Sequence, residues 1–186
     1  MFTLIIGGSA SGKSEYAEKY VMELDGLRVY LATMEPWDEE CRRRIARHRQ
    51  AREGRGFVTA ECSRGLEEAD IPDDANVLLE DLGNLAANEM FHGPAETRQG
   101  FTRDDIPPTA SAILRGVDRL LDRCRHLTVV TNEIFCGGVD YAEGTLEYLQ
   151  LLAHVNRLLA RRADRVVEVV CALPVVLYSR TKLTAG

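Results

Sequence analysis

Five short apolar runs, Phe2 to Ile6, Val29 to Ala32, Val77 to Leu79, Leu127 to Thr131 and Val166 to Cys171, alternate with longer segments of helical character. Runs of that length predict buried strands, and their alternation with helices predicts an α/β fold with a mostly parallel sheet flanked by helices. Ser14 to Leu24 carries Tyr16, Ala17, Tyr20, Val21 and Leu24 at helical spacing and predicts the first helix. Gly83 to Phe91 reads as a short helix, and Thr109 to Arg125 and Tyr141 to Asp164 as two longer amphipathic ones. In the last of these, Glu143 and Glu147 stand early and Arg157, Arg161 and Arg162 late, an order that complements the helix dipole.

Two segments break the pattern. Asp38 to Arg52 is charged nearly throughout, with Ile45 and Ala46 as its main apolar interruption, and predicts an exposed helix or an ordered arm over a site. Residues 93–108 contain glycine, two adjacent prolines and many polar residues, which predicts a surface loop. At 186 residues the chain is expected to form a single domain, 1–186.

Charge and composition narrow the partners. Apolar residues make up 45% and charged residues 28%, as in an ordinary globular protein, and the formal net charge of -6 argues against broad nucleic-acid binding. FTLIIGG has no basic flank of a secretory signal, and no apolar run approaches the roughly 20 residues that span a bilayer, so no membrane insertion and a cytoplasmic location are expected. The five cysteines are scattered without a C-x-x-C pair and read as reduced thiols; the histidines show no zinc spacing.

The first chemical motif is GGSASGKS, Gly7 to Ser14, between the first strand and the first helix. It satisfies G-x-x-x-x-G-K-[ST], in which glycines turn backbone N–H groups toward phosphate oxygens and the helix N-terminus adds positive potential. Lys13 would reach the β and γ phosphates and Ser14 would ligate Mg²⁺. A plain glycine-rich turn ending in Lys-Ser is the alternative. Such a loop also needs an acid at a neighbouring strand end, and Val77 to Leu79 leads into Glu80 and Asp81; without the loop these would read as a pair of solvated acids.

Arg42 to Arg55 places seven arginines around His48 in an otherwise acidic chain. Guanidinium groups bind phosphate oxygens bidentately, and a neutral imidazole can attack the α phosphorus of a nucleoside triphosphate. A solvated histidine on a charged helix satisfies the same residues.

Taken in order, Gly7 to Ser14, Tyr30 to Thr33, Arg44 to Arg49, Phe57 with Glu61, Glu80 to Asn88, Val130 to Ile134, Asn156, and Ala163 to Val166 resemble the bifunctional adenosylcobinamide kinase and adenosylcobinamide-phosphate guanylyltransferase family of cobalamin biosynthesis. The resemblance implies a RecA-like P-loop NTPase fold and a homotrimer. It implies His48 and Lys13 as catalytic residues, His48 carrying a covalent GMP. Gly7, Gly8, Ser9, Ala10, Ser11, Gly12, Lys13, Ser14, Thr33, Met34, Glu35, Arg49, Gln50, Ala51, Arg52, Glu61 and Glu80 would bind nucleotide. Ser14, Glu80 and Asp81 would hold Mg²⁺, and GTP, ATP and a corrinoid would be the small-molecule partners. The chain departs from the family's usual pattern at Ala10, where arginine is common, at Phe57, at Phe135 to Asp140, at Ala153 and Arg157, and in the CALPVV ending. A single-activity P-loop small-molecule kinase and a nucleotide-binding regulatory protein without turnover are the competing readings.

Overall fold

Alternate residues of the strands enter different cores. Leu4, Val29, Leu31, Val77, Leu79 and Val129 belong to one buried cluster, whereas Ile5, Tyr30, Leu78, Val130 and Val167 belong to the other. Period-two alternation with both sets apolar requires a sheet covered on both faces. The computed structural model describes residues 1–36, 39–52, 54–92, 107–135 and 144–180, with the backbone alone described at Arg44, His48, Arg49, Ala51 and Arg52. In it a seven-stranded sheet is flanked by helices.

The elements run β1 Phe2–Gly7, α1 Lys13–Met22, β2 Arg28–Ala32, α2 Glu39–Arg52, β3 Phe57–Glu61, a 3₁₀ turn Leu66–Glu68, β4 Asn76–Glu80, α3 Leu82–His92, α4 Pro108–Arg123, β5 His126–Asn132, α5 Thr145–Arg162, β6 Arg165–Val170 and β7 Leu173–Ser179. The sheet order is β3-β2-β4-β5-β1-β6-β7. All neighbours are parallel except β6 and β7. Helices α3, α4 and α5 supply Leu85, Ile113, Val117, Leu151 and Val155 to the larger core, and α1 supplies Ala17 and Val21 to the smaller.

Parallel pairing sets Gly7 against Asn132 and Ala32 against Glu80. The carboxyl ends of β1, β2, β4 and β5 therefore lie along one edge, where open α/β sheets bind ligands.

The expected fold class is borne out, with two strands more than the apolar runs predict. β3 is a short edge strand whose Val58 is 52% exposed, so it lacks the buried apolar run that announces a strand. β7 is an antiparallel edge strand with Pro174 as its second residue, a pattern that propensity disfavours. Cys171, expected in the last strand, instead forms a two-residue hairpin turn with Ala172, both at positive φ (50° and 63°) and without the glycine or asparagine that advertises such a turn. Pro108, assigned to the loop, opens α4, with Pro107 as the cap; residues 93–106 of that loop, and 141–143 of the predicted last helix, lie outside the described residues. Among the described residues no helix is long and apolar enough to cross a membrane. Among the described residues, Cys62, Cys124 and Cys171 are free thiols, and burial pushes Cys62 and Cys124 up to about 11.

Gly116 in α4 admits the 3₁₀ turn: a Cβ there would lie 2.5 Å from Leu66 Cβ and 3.1 Å from the Glu67 backbone nitrogen. Alanine normally stabilises a helix interior over glycine by about 1 kcal/mol. Here Gly116→Ala is expected to lower the thermal midpoint, because the clash is with a chain segment rather than a free side-chain end; an unchanged or raised midpoint would refute that packing.

Candidate nucleotide site

The loop between β1 and α1 is shaped by two glycines for different reasons. A Cβ on Gly7 would meet Ser11 Oγ at 2.5 Å and the Val169 carbonyl oxygen at 2.7 Å. Gly12 caps α1 at φ 88°, and its Cβ would meet Ala172 Cα at 3.1 Å. Gly8 has open space around it. The hairpin turn that crowds Gly12 also fastens the loop, since the Ala172 N–H donates to the Ser11 carbonyl at 2.8 Å. Ala10 occupies the left-handed region at φ 55°.

Lys13 is buried and its ammonium donates to the Gly8 carbonyl at 3.1 Å, so the lysine is folded along its own loop. Ser14 Oγ donates to Glu80 Oε1 at 2.6 Å, joining the start of α1 to the end of β4. Thr33, at the end of β2, braces the same strand end: its hydroxyl donates to the Asp81 carbonyl and accepts from the Asp81 N–H, both at 2.8 Å, while its own N–H donates to the Glu80 carbonyl at 3.2 Å. The Glu80–Asp81 peptide bond is cis. Asn88 of α3 donates to the Thr33 carbonyl at 2.9 Å.

Glu80 is nearly enclosed. Burial, with the Asp81 carboxylate nearby, pushes its carboxyl up to about 8 against the opposing pull of the Ser14 hydrogen bond and Lys13. Its second oxygen, Oε2, is buried with no hydrogen-bond partner, as is Ser11 Oγ. A serine hydroxyl, a carboxylate with an orphaned oxygen and a second carboxylate form an all-oxygen set that fits a hard divalent cation such as Mg²⁺, which takes few protein ligands and keeps several waters. No group of three or more His, Cys, Asp or Glu gathers as a metal centre among the described residues.

A cavity of about 610 Å³ opens over this arrangement, lined by Ser9, Ala10, Ser11, Gly12, Lys13 and Ser14 of the loop, together with Met34, Glu61, Glu80 and Asp81. Other expected site residues stand elsewhere. Gly7 makes room for Ser11 and the Val169 carbonyl, Gly8 accepts from Lys13, and Thr33 is fully buried as a brace. Glu35 pairs with Arg64 at 3.0 Å, and Gln50 is exposed on α2. The side chains of His48, Arg49, Ala51 and Arg52 lie outside the described residues. Of the remaining arginines in that stretch, Arg55 is committed to an ion pair with the buried Glu18 of α1, and Arg42 and Arg43 approach Glu39 at 3.7 Å.

A family profile described as "Cobinamide kinase / cobinamide phosphate guanyltransferase" matches residues 3–177. The chain belongs to this family. It is 30% identical over 186 residues to the bifunctional adenosylcobalamin biosynthesis protein CobU of Salmonella typhimurium, covering 94% of this chain and 98% of that one. It is 32% identical over 181 residues to the bifunctional adenosylcobalamin biosynthesis protein CobP of Pseudomonas aeruginosa, covering 95% and 97%. As a member of a family of kinases and guanylyltransferases, the chain is an enzyme. Among solved structures, an ATPase of a bacterial type III secretion system superposes with a TM-score of 0.54 at 12% identity, over 90% of this chain and 50% of that one. The likeness is of fold alone, and it is that of a RecA-like P-loop ATPase.

Within this cobinamide kinase / guanyltransferase family member, sequence reasoning missed Glu15, Tyr30, Ala32, Asn84 and Asn132 as cavity residues, and Ile45 as the point where α2 meets it. Glu15, Ala32, Asn84 and Asn132 stand within a few residues of recognised motifs or inside them. The available signal was position at a strand end or in a first helical turn, which periodicity does not reveal.

The raised Glu80 gives a pH test on metal-free protein. Below about 4.5, the carboxyl's ordinary value, Glu80 is protonated whether folded or unfolded. As pH climbs from there to about 8 the unfolded chain sheds the proton and the folded one keeps it, so the wild type loses stability across that window. Glu80→Gln removes this loss. Its thermal midpoint should match the wild type near pH 4.5 and exceed it by several degrees at pH 8, on the order of a few kcal/mol; a constant difference across that range would show that Glu80 ionises freely in the fold.

Proposed function

We propose that this enzyme phosphorylates adenosylcobinamide from a nucleoside triphosphate and then transfers GMP from GTP to the product through a covalent adduct on His48. The observation that carries the reading is the approach of α2 to the cavity. Ile45 lines it, and the α2 backbone carries His48 one helical turn further on. Family membership supports the same pair of reactions.

In the first reaction the acceptor hydroxyl attacks the γ phosphorus while the bond to the β–γ bridging oxygen breaks, the nucleoside diphosphate leaves, and the hydroxyl proton is lost to solvent. The loop N–H groups and Lys13, which exchanges the Gly8 carbonyl for phosphate oxygens, balance the charge that develops. Mg²⁺ held by Ser14 and Glu80, with Asp81 beside them, would supply charge neutralisation on the β and γ phosphates. In the second reaction the His48 imidazole attacks the α phosphorus of GTP and pyrophosphate leaves; the phosphate of the acceptor then displaces the histidine. Arg49 and Arg52, on the same helix, would hold the departing pyrophosphate.

We assign Ser9 to Ser14, Met34, Glu61 and Glu80 to nucleotide contact, and Gly7, Gly8 and Thr33 to the shaping of that site. A homotrimer in the cytoplasm completes the proposal. The outer strand β7 supports an assembly: Leu173, Val175, Val176, Leu177 and Tyr178 are all exposed on an edge that no strand among the described residues pairs, a surface that proteins ordinarily cover.

Incubation with α-labelled GTP and Mg²⁺ should leave an acid-labile, base-stable label on the wild type. His48→Asn should abolish that label and retain phosphoryl transfer from ATP, whereas Lys13→Ala should lower phosphoryl transfer at least a hundredfold (~3 kcal/mol of transition-state stabilisation). An unlabelled wild type sinks the histidine route, and full turnover by Lys13→Ala sinks the loop assignment.

A further inference from the structure

Two carboxamides of the cavity, Asn84 and Asn132, have no part in the nucleotide contacts or the histidine chemistry assigned above. Asn132 ends β5, the strand that lies between β1 and β4 in the sheet, and it stands in register with Gly7. Asn84 lies in the first turn of α3, directly after the Glu80–Asp81 strand end. Both line the cavity together with Asp81.

The backbone that carries them is fixed. Thr131 Oγ1 donates to Asn156 Oδ1 at 2.7 Å, and the Asn156 amide donates to the Asn132 carbonyl at 3.3 Å, tying the end of β5 to α5. On the other side the Glu133 N–H donates to the Gly7 carbonyl at 3.0 Å, extending the ladder to the phosphate loop. The Asn84 N–H donates to Asp81 Oδ1 at 2.6 Å, which sets the first turn of α3. Gly83 lets these groups converge: a Cβ there would lie 2.8 Å from Asn132 Nδ2, 3.1 Å from the Tyr148 hydroxyl and 3.2 Å from Asp81 Oδ1.

A carboxamide offers a donor and an acceptor and carries no charge. Asn84 and Asn132 line the cavity beside Asp81 and bring no charge of their own, and Asn132 is in register with the start of the phosphate loop. A neutral alcohol, which both donates and accepts, matches that chemistry. We propose that Asn84 and Asn132 form the subsite for the acceptor's neutral hydroxyl, presenting it to the terminal phosphate of a nucleotide seated on Gly7 to Ser14. The subsite rests on the phosphoryl-transfer half of the functional reading and is independent of His48.

The test is steady-state phosphoryl transfer from ATP to adenosylcobinamide by Asn84→Ala, Asn132→Ala and Gly83→Ala, with nucleotide affinity measured separately by a fluorescent GTP analogue and folding checked by thermal melting. Each variant should raise KM for adenosylcobinamide about tenfold, the order expected for one lost buried hydrogen bond. In the two asparagine variants nucleotide Kd should stay within about twofold. Gly83→Ala displaces only side-chain ends and should melt near the wild type. Asn132→Asp keeps the side-chain shape, removes the donor and adds a charge, and should remain impaired even if the alanine variant folds poorly. An unchanged acceptor KM overturns the subsite, as does a nucleotide Kd weakened in step with it, which would place the amides on the nucleotide. A wild type that phosphorylates no adenosylcobinamide rejects the functional reading, and the subsite falls with it.

Discussion

The hydrogen bond from Ser14 to Glu80, 2.6 Å long, joins the two halves of the site. One end belongs to the loop that follows β1, the other to the acid that ends β4, and those strands are separated in the sheet by β5. The contact exists because parallel register brings the carboxyl ends of all three strands to one edge. Around it, each restraint acts on a strand end: Thr33 grips the backbone of Asp81, Asn156 grips that of Asn132, and the Ala172 N–H grips that of Ser11. Glu80 is left with one oxygen satisfied and one orphaned in a buried setting. That is an unfavourable resting arrangement for a carboxyl group and a favourable one for a cation-binding site.

The C-terminal hairpin has a larger part in this site than its sequence suggests. The CALPVV ending departs from the family's usual pattern, yet its turn packs on Gly12, and Val169 of β6 limits the space at Gly7. Cys171 and Ala172 adopt left-handed backbone conformations that most side chains disfavour. Packing against the phosphate loop compensates for that cost, so the loop's shape depends on residues about 160 positions downstream as much as on its own glycines.

Much of the architecture was legible in the sequence because it rests on local patterns. The five apolar runs became strands, the last of them short of Cys171; Gly7 to Ser14 became the passage from β1 into α1, and Glu80 fell beside Ser14. Of the two unanticipated strands, β3 is an edge with Val58, Thr59 and Glu61 exposed, so no buried apolar run announced it, whereas β7 is an apolar run whose proline argued against a strand. Site membership was less legible than site existence. The family resemblance implies Thr33 and Glu35 as nucleotide-binding residues; in the structure Thr33 is a buried brace of the Asp81 backbone and Glu35 pairs with Arg64. Asn132 and Tyr30 fall inside recognised segments, but that they face one cavity follows from the strand order, which those segments do not encode. Arg55 was counted with a phosphate-binding cluster, and its partner, Glu18, lies 37 residues away on α1.

The coupling of Ser14 to Glu80 is most directly tested by a double-mutant cycle on Mg²⁺-dependent GTP affinity, using Ser14→Ala, Glu80→Gln and the pair together. If the two side chains act as one unit, the double variant should lose about 1–2 kcal/mol less than the sum of the single losses. Strict additivity would contradict the account, because it would mean that the loop and the acid strand engage the nucleotide independently.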